Sequence, residues 1–187
     1  KGWKTMIVTI VILLLAWSLS SVIKELGTSR YLVDMLSQNT PKFLLPVAIF
    51  VLGSFISFST GTSYGTMGIL MPLAIPLANA VGLHYGLSGD ALHAYMIVNI
   101  SGVLTGAIFG DHCSPISDTT ILSSMGAGCD HIEHVKTQMP YALSVGAVAV
   151  VAGYLPVALG LSVWIALPMG LAVTWALVRF AGKKIEA

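Results

Sequence analysis

Between two apolar arms, Ala91–Phe109 and Ile121–Gly128, the sequence places Gly110-Asp111-His112-Cys113-Ser114-Pro115-Ile116-Ser117-Asp118-Thr119-Thr120. Two carboxylates, several hydroxyls and a proline thus stand where an apolar helix is expected to continue. The setting makes that interruption costly. The chain is 56% hydrophobic and 9% charged over 187 residues, whereas a soluble domain carries about a quarter charged residues. With a mean hydropathy of +0.87, the solvent it is built for is a bilayer. At membrane depth, non-helical backbone is tolerated only where it is buried in protein or lines a watery cavity. An ionisable residue there is by default a functional site.

The net charge of +1, without a basic run or aromatic-basic interleaving, excludes nucleic acid as a partner. Cys113 and Cys129 are too few for a disulfide framework and are expected to be buried free thiols. The sequence starts at Lys1, and Thr5–Ile23 lacks the cleavage site of a signal peptide. A piece of a longer protein is therefore expected, a single transmembrane domain over residues 1–187. That length suits five or six spans at about 20 residues each.

Thr5–Ile23 is an uncharged run flanked by Trp3 and Lys4 and by Lys24 and Glu25, as in a spanning helix with interfacial anchors. Lys24–Lys42 reads as an interfacial helix and connector. From Phe43 to Gly89 the one acid or base is His84, and the run is interrupted by Ser57-Phe58-Ser59-Thr60-Gly61-Thr62-Ser63-Tyr64-Gly65-Thr66. Its second arm carries Pro72 and Pro76, which free the carbonyls of Gly68 and Pro72. A broken helix or a re-entrant hairpin follows, and both remain open. Asp90 is expected to cap the helix after it. An apolar arm, a hydroxyl-rich break and a second apolar arm thus occur twice, the pattern that points to a transporter's binding site. The expected fold is an all-α membrane protein, a polytopic helical bundle with two discontinuous (broken or re-entrant) helices. Asp130-His131-Ile132-Glu133 has capping-box spacing and starts a polar surface helix ending at Gln138. Pro140 then opens the span Tyr141–Leu159, and Leu161–Val178 follows. Arg179, Lys183 and Lys184 favour a cytoplasmic C-terminus.

Asp111 and Asp118 carry the chemistry. Burial favours a carboxyl's neutral form and a bound cation favours its charged form, so proton and cation compete for one site. That competition suffices for antiport if the site can face either side. The plain alternative for Asp118 is a helix cap. Ser114, Ser117, Thr119 and Thr120 offer hydroxyl oxygens, as do Ser59, Thr60, Thr62 and Ser63 beside three glycines, and hard cations prefer oxygen ligands. Hydroxyls of this kind also satisfy loop backbone. Pro115 is expected to free the Asp111 carbonyl. Asn99 is a ligand amide or a hydrogen-bonding link between helices, the link being the commoner role. Asp111-His112-Cys113 and Cys129-Asp130-His131 match no zinc spacing, so no transition-metal site is expected. The two acids lie in one short stretch and no Ser-His or Cys-His pair is visible, so neither an enzyme nor a cofactor is expected. A structural membrane subunit is the remaining alternative.

The run Phe109–Ser124 resembles the signature of NhaC-type sodium/proton antiporters. Ser59–Thr66, Cys129–His134 and Pro140-Tyr141 also fit that family, and the likeness covers the family's C-terminal half. The resemblance implies one repeat of an inverted-repeat ion transporter, working with the N-terminal half of the same protein. It implies Na+ binding by Asp111, Ser114, Ser117, Asp118 and Thr119, and by Ser59, Thr60, Thr62 and Ser63. Some relatives resemble exchangers of organic anions such as malate and lactate. The expected setting is a prokaryotic inner membrane. The expected partners are lipid, Na+, H+ and, in a homodimer, a second copy.

Overall fold

A computed structural model describes residues 41–182 continuously and isolated positions before them. Most of the expected span Thr5–Ile23 and of the Lys24–Lys42 connector, and Lys183 and Lys184, lie outside the described residues. The described chain is helical throughout: α1 (Leu44–Thr60), α2 (Ser63–His84), α3 (Gly89–Cys113), α4 (Asp118–Ala127), α5 (His131–Ala158) and α6 (Val163–Ala181). Within α5, a π-helical stretch at Ala149–Tyr154 separates α-helical His131–Val148 from Leu155–Ala158. The segments Ser63–His84, Gly89–Cys113, His131–Ala158 and Val163–Phe180 are each long and apolar enough to cross a membrane.

The interruption after Phe43 resolves into a tight corner. α1 ends at Gly61, which has φ 66° and donates its N–H to Ser57 O at 2.8 Å. That left-handed geometry is nearly free for glycine and costs other residues. Thr62 then caps α2, its Oγ1 accepting the Gly65 N–H at 3.3 Å. Only Gly61 and Thr62 leave the helix, so Ser57–Thr60 and Ser63–Thr66, expected to be part of the break, are helical. α2 also runs straight through Pro72 and Pro76. At Pro46, where α1 begins, the missing amide leaves the Lys42 carbonyl without its helical donor, and the Tyr95 hydroxyl of α3 supplies one at 3.0 Å.

What locks α3 to α1 is a stripe of glycines that was not singled out from the sequence. Gly102, Gly106 and Gly110 recur every fourth residue and face α1. A Cβ at these positions would lie 3.0, 2.4 and 2.1 Å from the carbonyl oxygens of Pro46, Phe50 and Ser54 respectively. The numbers rise together along both helices, so α1 and α3 run parallel with their backbones in contact. Gly82 of α2 lies beside Leu92 and Tyr95 of α3, so α2 runs antiparallel to both. α1 and α2 therefore double back as a hairpin. Leu45, Ile49, Leu70, Ala74, Ala78, Val81, Tyr95 and Val103 fill the space between these three helices.

α5 descends along α3: Gly146 meets the Phe109 ring, and the Tyr154 hydroxyl, on the π-helical stretch, bonds Thr105 Oγ1. The Phe50 ring packs on Phe109 and Tyr154 at centroid distances of 5.7 and 5.3 Å. Three expectations are corrected here. Of the two free thiols, both expected to be buried, Cys113 is buried and Cys129 is exposed. The surface helix expected to end at Gln138 continues through Pro140, a proline being tolerated where surrounding groups re-satisfy the freed backbone. At the start of α3, Asp90 lies in the first turn and Ser88 holds the cap position. The capping-box spacing does begin α5, with Asp130 Oδ1 accepting the Glu133 N–H at 3.0 Å. Asp130→Ala is expected to cost about 1 kcal/mol of stability and Asp130→Asn only a fraction of that, read as the unfolding midpoint of the detergent-purified full-length protein.

Candidate functional site

The α1–α3 contact brings the two hydroxyl-rich stretches together. The Ser57 hydroxyl, fully buried, donates to Ala107 O at 2.6 Å. About two turns further along α3, Ser114 Oγ donates to Phe58 O at 2.8 Å. A Cβ on Gly61 would lie 2.9 Å from Ile116 O. The corner after α1 thus sits directly on the Ser114–Ser117 turn that joins α3 to α4.

Asp111 is the centre of this junction. It lies in the last turn of α3 and is 5% exposed. Ser117 Oγ donates to its Oδ1 at 2.8 Å and Thr119 Oγ1 to its Oδ2 at 3.4 Å, while the two hydroxyl oxygens are 2.7 Å apart. The turn folds back because Ser117 caps α4, its Oγ accepting the Thr119 N–H at 3.2 Å. A single serine therefore ends one interruption, starts the next helix and bonds the acid. Among the described residues the one ion pair joins Lys136 to Glu133 at 2.7 Å, so Asp111 has no basic partner there. A buried carboxylate without a countercharge is costly unless it takes up a proton or a cation.

The other expected ligands separate into groups. Asp118 is exposed at the first position of α4, and the capping role open to it belongs to Ser117 instead. Ser114 braces the corner through Phe58 rather than facing Asp111. Ser59 and Thr60 are exposed and bond back to Phe55 O and Ile56 O of their own helix, both at 2.9 Å. Thr62 caps α2, and Ser63 is its first residue. Asn99 is fully buried, about 18 Å from Asp111 along α3 at a helical rise of about 1.5 Å per residue. Its Nδ2 donates to Tyr95 O at 2.8 Å. The Asp111 carbonyl, expected to be freed by Pro115, instead accepts the Ser114 N–H at 3.1 Å because the chain tightens into a turn.

Sequence reasoning missed the residues that hold the turn from α5. His131 Nε2 lies 2.6 Å from Pro115 O, and its Nδ1 lies 3.1 Å from Ser124 Oγ on α4. Gln138 Nε2 donates to His112 O at 2.8 Å. The capping-box spacing hid these roles, since it explains His131 and His134 as plain first-turn residues. Among the described residues, no three His, Cys, Asp or Glu side chains gather into a metal-holding group.

The model of the Na+/H+ antiporter family matches residues 1–158. The chain belongs to that family. It is accordingly an integral membrane protein and a member of a family of transporters rather than of enzymes. An uncharacterized protein of Haemophilus influenzae is 46% identical over 156 residues, covering 83% of this chain and 28% of its own length. An uncharacterized Na(+)/H(+) antiporter of the same organism is 35% identical over 96 residues, 51% of this chain and 18% of its own. The malate-2H(+)/Na(+)-lactate antiporter of Bacillus subtilis is 34% identical over 97 residues, 52% of this chain and 18% of its own. This antiporter-family chain thus spans less than a third of the length of each of these relatives. No solved structure matches it.

Proposed function

We propose that the chain is the ion-binding part of a secondary transporter that exchanges Na+ for H+, with Asp111 as the group both ions compete for. The observation that carries this reading is a carboxylate 5% exposed, held by two hydroxyls and without a basic partner among the described residues. Protonated, it keeps both hydroxyl contacts. Ionised, it supplies the charge that a sodium ion needs, with Ser117 and Thr119 as neutral oxygens. Asp118 stands at the exposed edge, where it attracts cations toward the site. Ser114, Ser59, Thr60, Thr62 and Ser63 build the corner on which the turn rests, and Asn99, bonded to Tyr95 O of its own helix, stands apart from the site.

On this reading α3, the Ser114–Ser117 turn and α4 form a discontinuous helix, and the chain is one repeat of an inverted pair whose other member completes the cavity around Asp111. Its bilayer is a prokaryotic inner membrane with the C-terminus cytoplasmic. A second copy in a homodimer is part of the same reading.

A second reading is sodium- or proton-coupled exchange of organic acids, favoured by the likeness to a malate/lactate antiporter. Full-length protein in proteoliposomes separates the two. An imposed sodium gradient is expected to move protons with no organic acid present. Proton movement that requires malate or lactate would replace sodium/proton exchange with the second reading.

A further inference from the structure

The turn that presents Ser117 to Asp111 is four residues long, and its own hydrogen bonds are few and long: Ser117 N–H to Ser114 O at 3.4 Å and Ile116 N–H to Ser114 Oγ at 3.3 Å. Such contacts alone hold a turn weakly. A shorter one reaches it from outside. His131, the first residue of α5, brings Nε2 to 2.6 Å from the Pro115 carbonyl, at the middle of the turn. A carbonyl oxygen only accepts, so that nitrogen carries the proton and donates. The other ring nitrogen meets Ser124 Oγ at 3.1 Å, and Ser124, on α4, is 1% exposed. One imidazole therefore spans the turn and the helix that follows it, and it stands on the capped N-terminus of α5, which Asp130 fixes.

We propose that His131 is a positioning residue: through Pro115 it fixes the turn, and so keeps the Ser117 and Thr119 hydroxyls on Asp111. The sodium consequence rests on the ion-site reading above, whereas the mechanical one does not. Without the Nε2 donor the Pro115 carbonyl loses its partner in a half-buried setting, and the middle of the turn, held otherwise at the Ser114–Phe58 end, is free to shift. The hydroxyl oxygens then spend less time beside the carboxylate, so sodium binds more weakly while the carboxylate itself stays intact.

Two substitutions separate the ring nitrogens. In His131→Gln the side-chain amide reaches the place of Nε2 and still donates to Pro115. In His131→Asn it reaches only the place of Nδ1 and contacts Ser124. Both are polar and helix-compatible. The full-length protein, with every cysteine except Cys113 replaced by serine, gives two readouts. The first is the rate at which a membrane-permeant maleimide labels Cys113, a 4% exposed thiol next to the turn. The second is the apparent sodium KM and maximal rate of proton exchange in proteoliposomes.

His131→Asn is expected to speed labelling and raise the sodium KM, each about tenfold, the usual scale for a lost hydrogen bond that leaves a partner unsatisfied, with the maximal rate little changed. His131→Gln is expected to match the parent in both. Equal labelling of Cys113 in the parent and in His131→Asn would overturn the proposal, as would His131→Gln behaving like His131→Asn. Faster labelling of His131→Asn than of the parent, together with a parent that shows no sodium-driven exchange, would keep the mechanical role and remove the ion-site reading instead.

Discussion

Asp111→Asn in the full-length protein is expected to abolish sodium-driven proton movement and to leave the protein folded. The amide has nearly the shape of a protonated carboxyl, and its oxygen can still accept the Ser117 hydroxyl that lies 2.8 Å from Asp111 Oδ1. What it lacks is the exchangeable proton and the negative charge, and an antiporter of this design needs both. The turn, the Ser114–Phe58 brace and the glycine contacts do not involve that charge, so detergent-purified protein should elute and melt like the parent. Proteoliposomes carrying Asp111→Asn should show the proton leak of protein-free vesicles. Asp118→Asn, read from sequence as an equal candidate, is expected to raise the sodium KM with exchange retained, because Asp118 is exposed at the start of α4. If Asp118→Asn abolishes exchange and Asp111→Asn does not, the roles of the two acids are reversed.

The second large effect concerns the fold on which the site is built. Gly106→Ala would push a methyl to 2.4 Å from Phe50 O, and Gly110→Ala one to 2.1 Å from Ser54 O. These neighbours are backbone and cannot swing aside, so α1 and α3 must separate. Overpacking of this kind costs about 1–3 kcal/mol, sometimes more. Separating the helices also removes the Ser57–Ala107 and Ser114–Phe58 bonds that cross the same seam. Gly126→Ala is the matched control: nothing lies within 4 Å of its Cβ, and it sits in helix α4. There the substitution is expected to stabilise by roughly 0.5–1 kcal/mol through helix propensity. Unfolding midpoints of the three full-length variants in one detergent give the comparison. Gly106→Ala melting like Gly126→Ala would show that the close approach does not support the fold.

Much of this was legible in the sequence, and the rest was hidden for identifiable reasons. The interruption at Gly110–Thr120 is visible because acids and hydroxyls contrast with a nearly uncharged chain, and contrast needs no knowledge of neighbours. The Asp130 cap is visible because it depends on residues three apart. The ranking of Asp111 over Asp118 depends on which way the chain turns after Cys113, a tertiary fact. Ser117, not Asp118, takes the cap, and that choice aims its hydroxyl at Asp111. Pro140 misleads for a related reason: its spacing places it in the first turn of a new span, whereas α5 carries it internally, as α2 carries Pro72 and Pro76. The glycine stripe is harder to see because Gly102, Gly106 and Gly110 act at a helix surface and not at a break in the chain. Their four-residue spacing was the available signal. His131 was hidden because its partner, Pro115, is distant in sequence and contributes only a backbone oxygen.

Proton release from weakly buffered, detergent-purified full-length protein on addition of NaCl tests the competition at Asp111 most directly, since it needs neither membrane nor gradient. Sodium is expected to displace protons in a saturable manner from the parent, with choline chloride at equal ionic strength releasing none and Asp111→Asn releasing none with either salt. Sodium-dependent release that persists undiminished in Asp111→Asn, or no release from a parent that is folded and transports, would contradict a single carboxylate shared by the two ions.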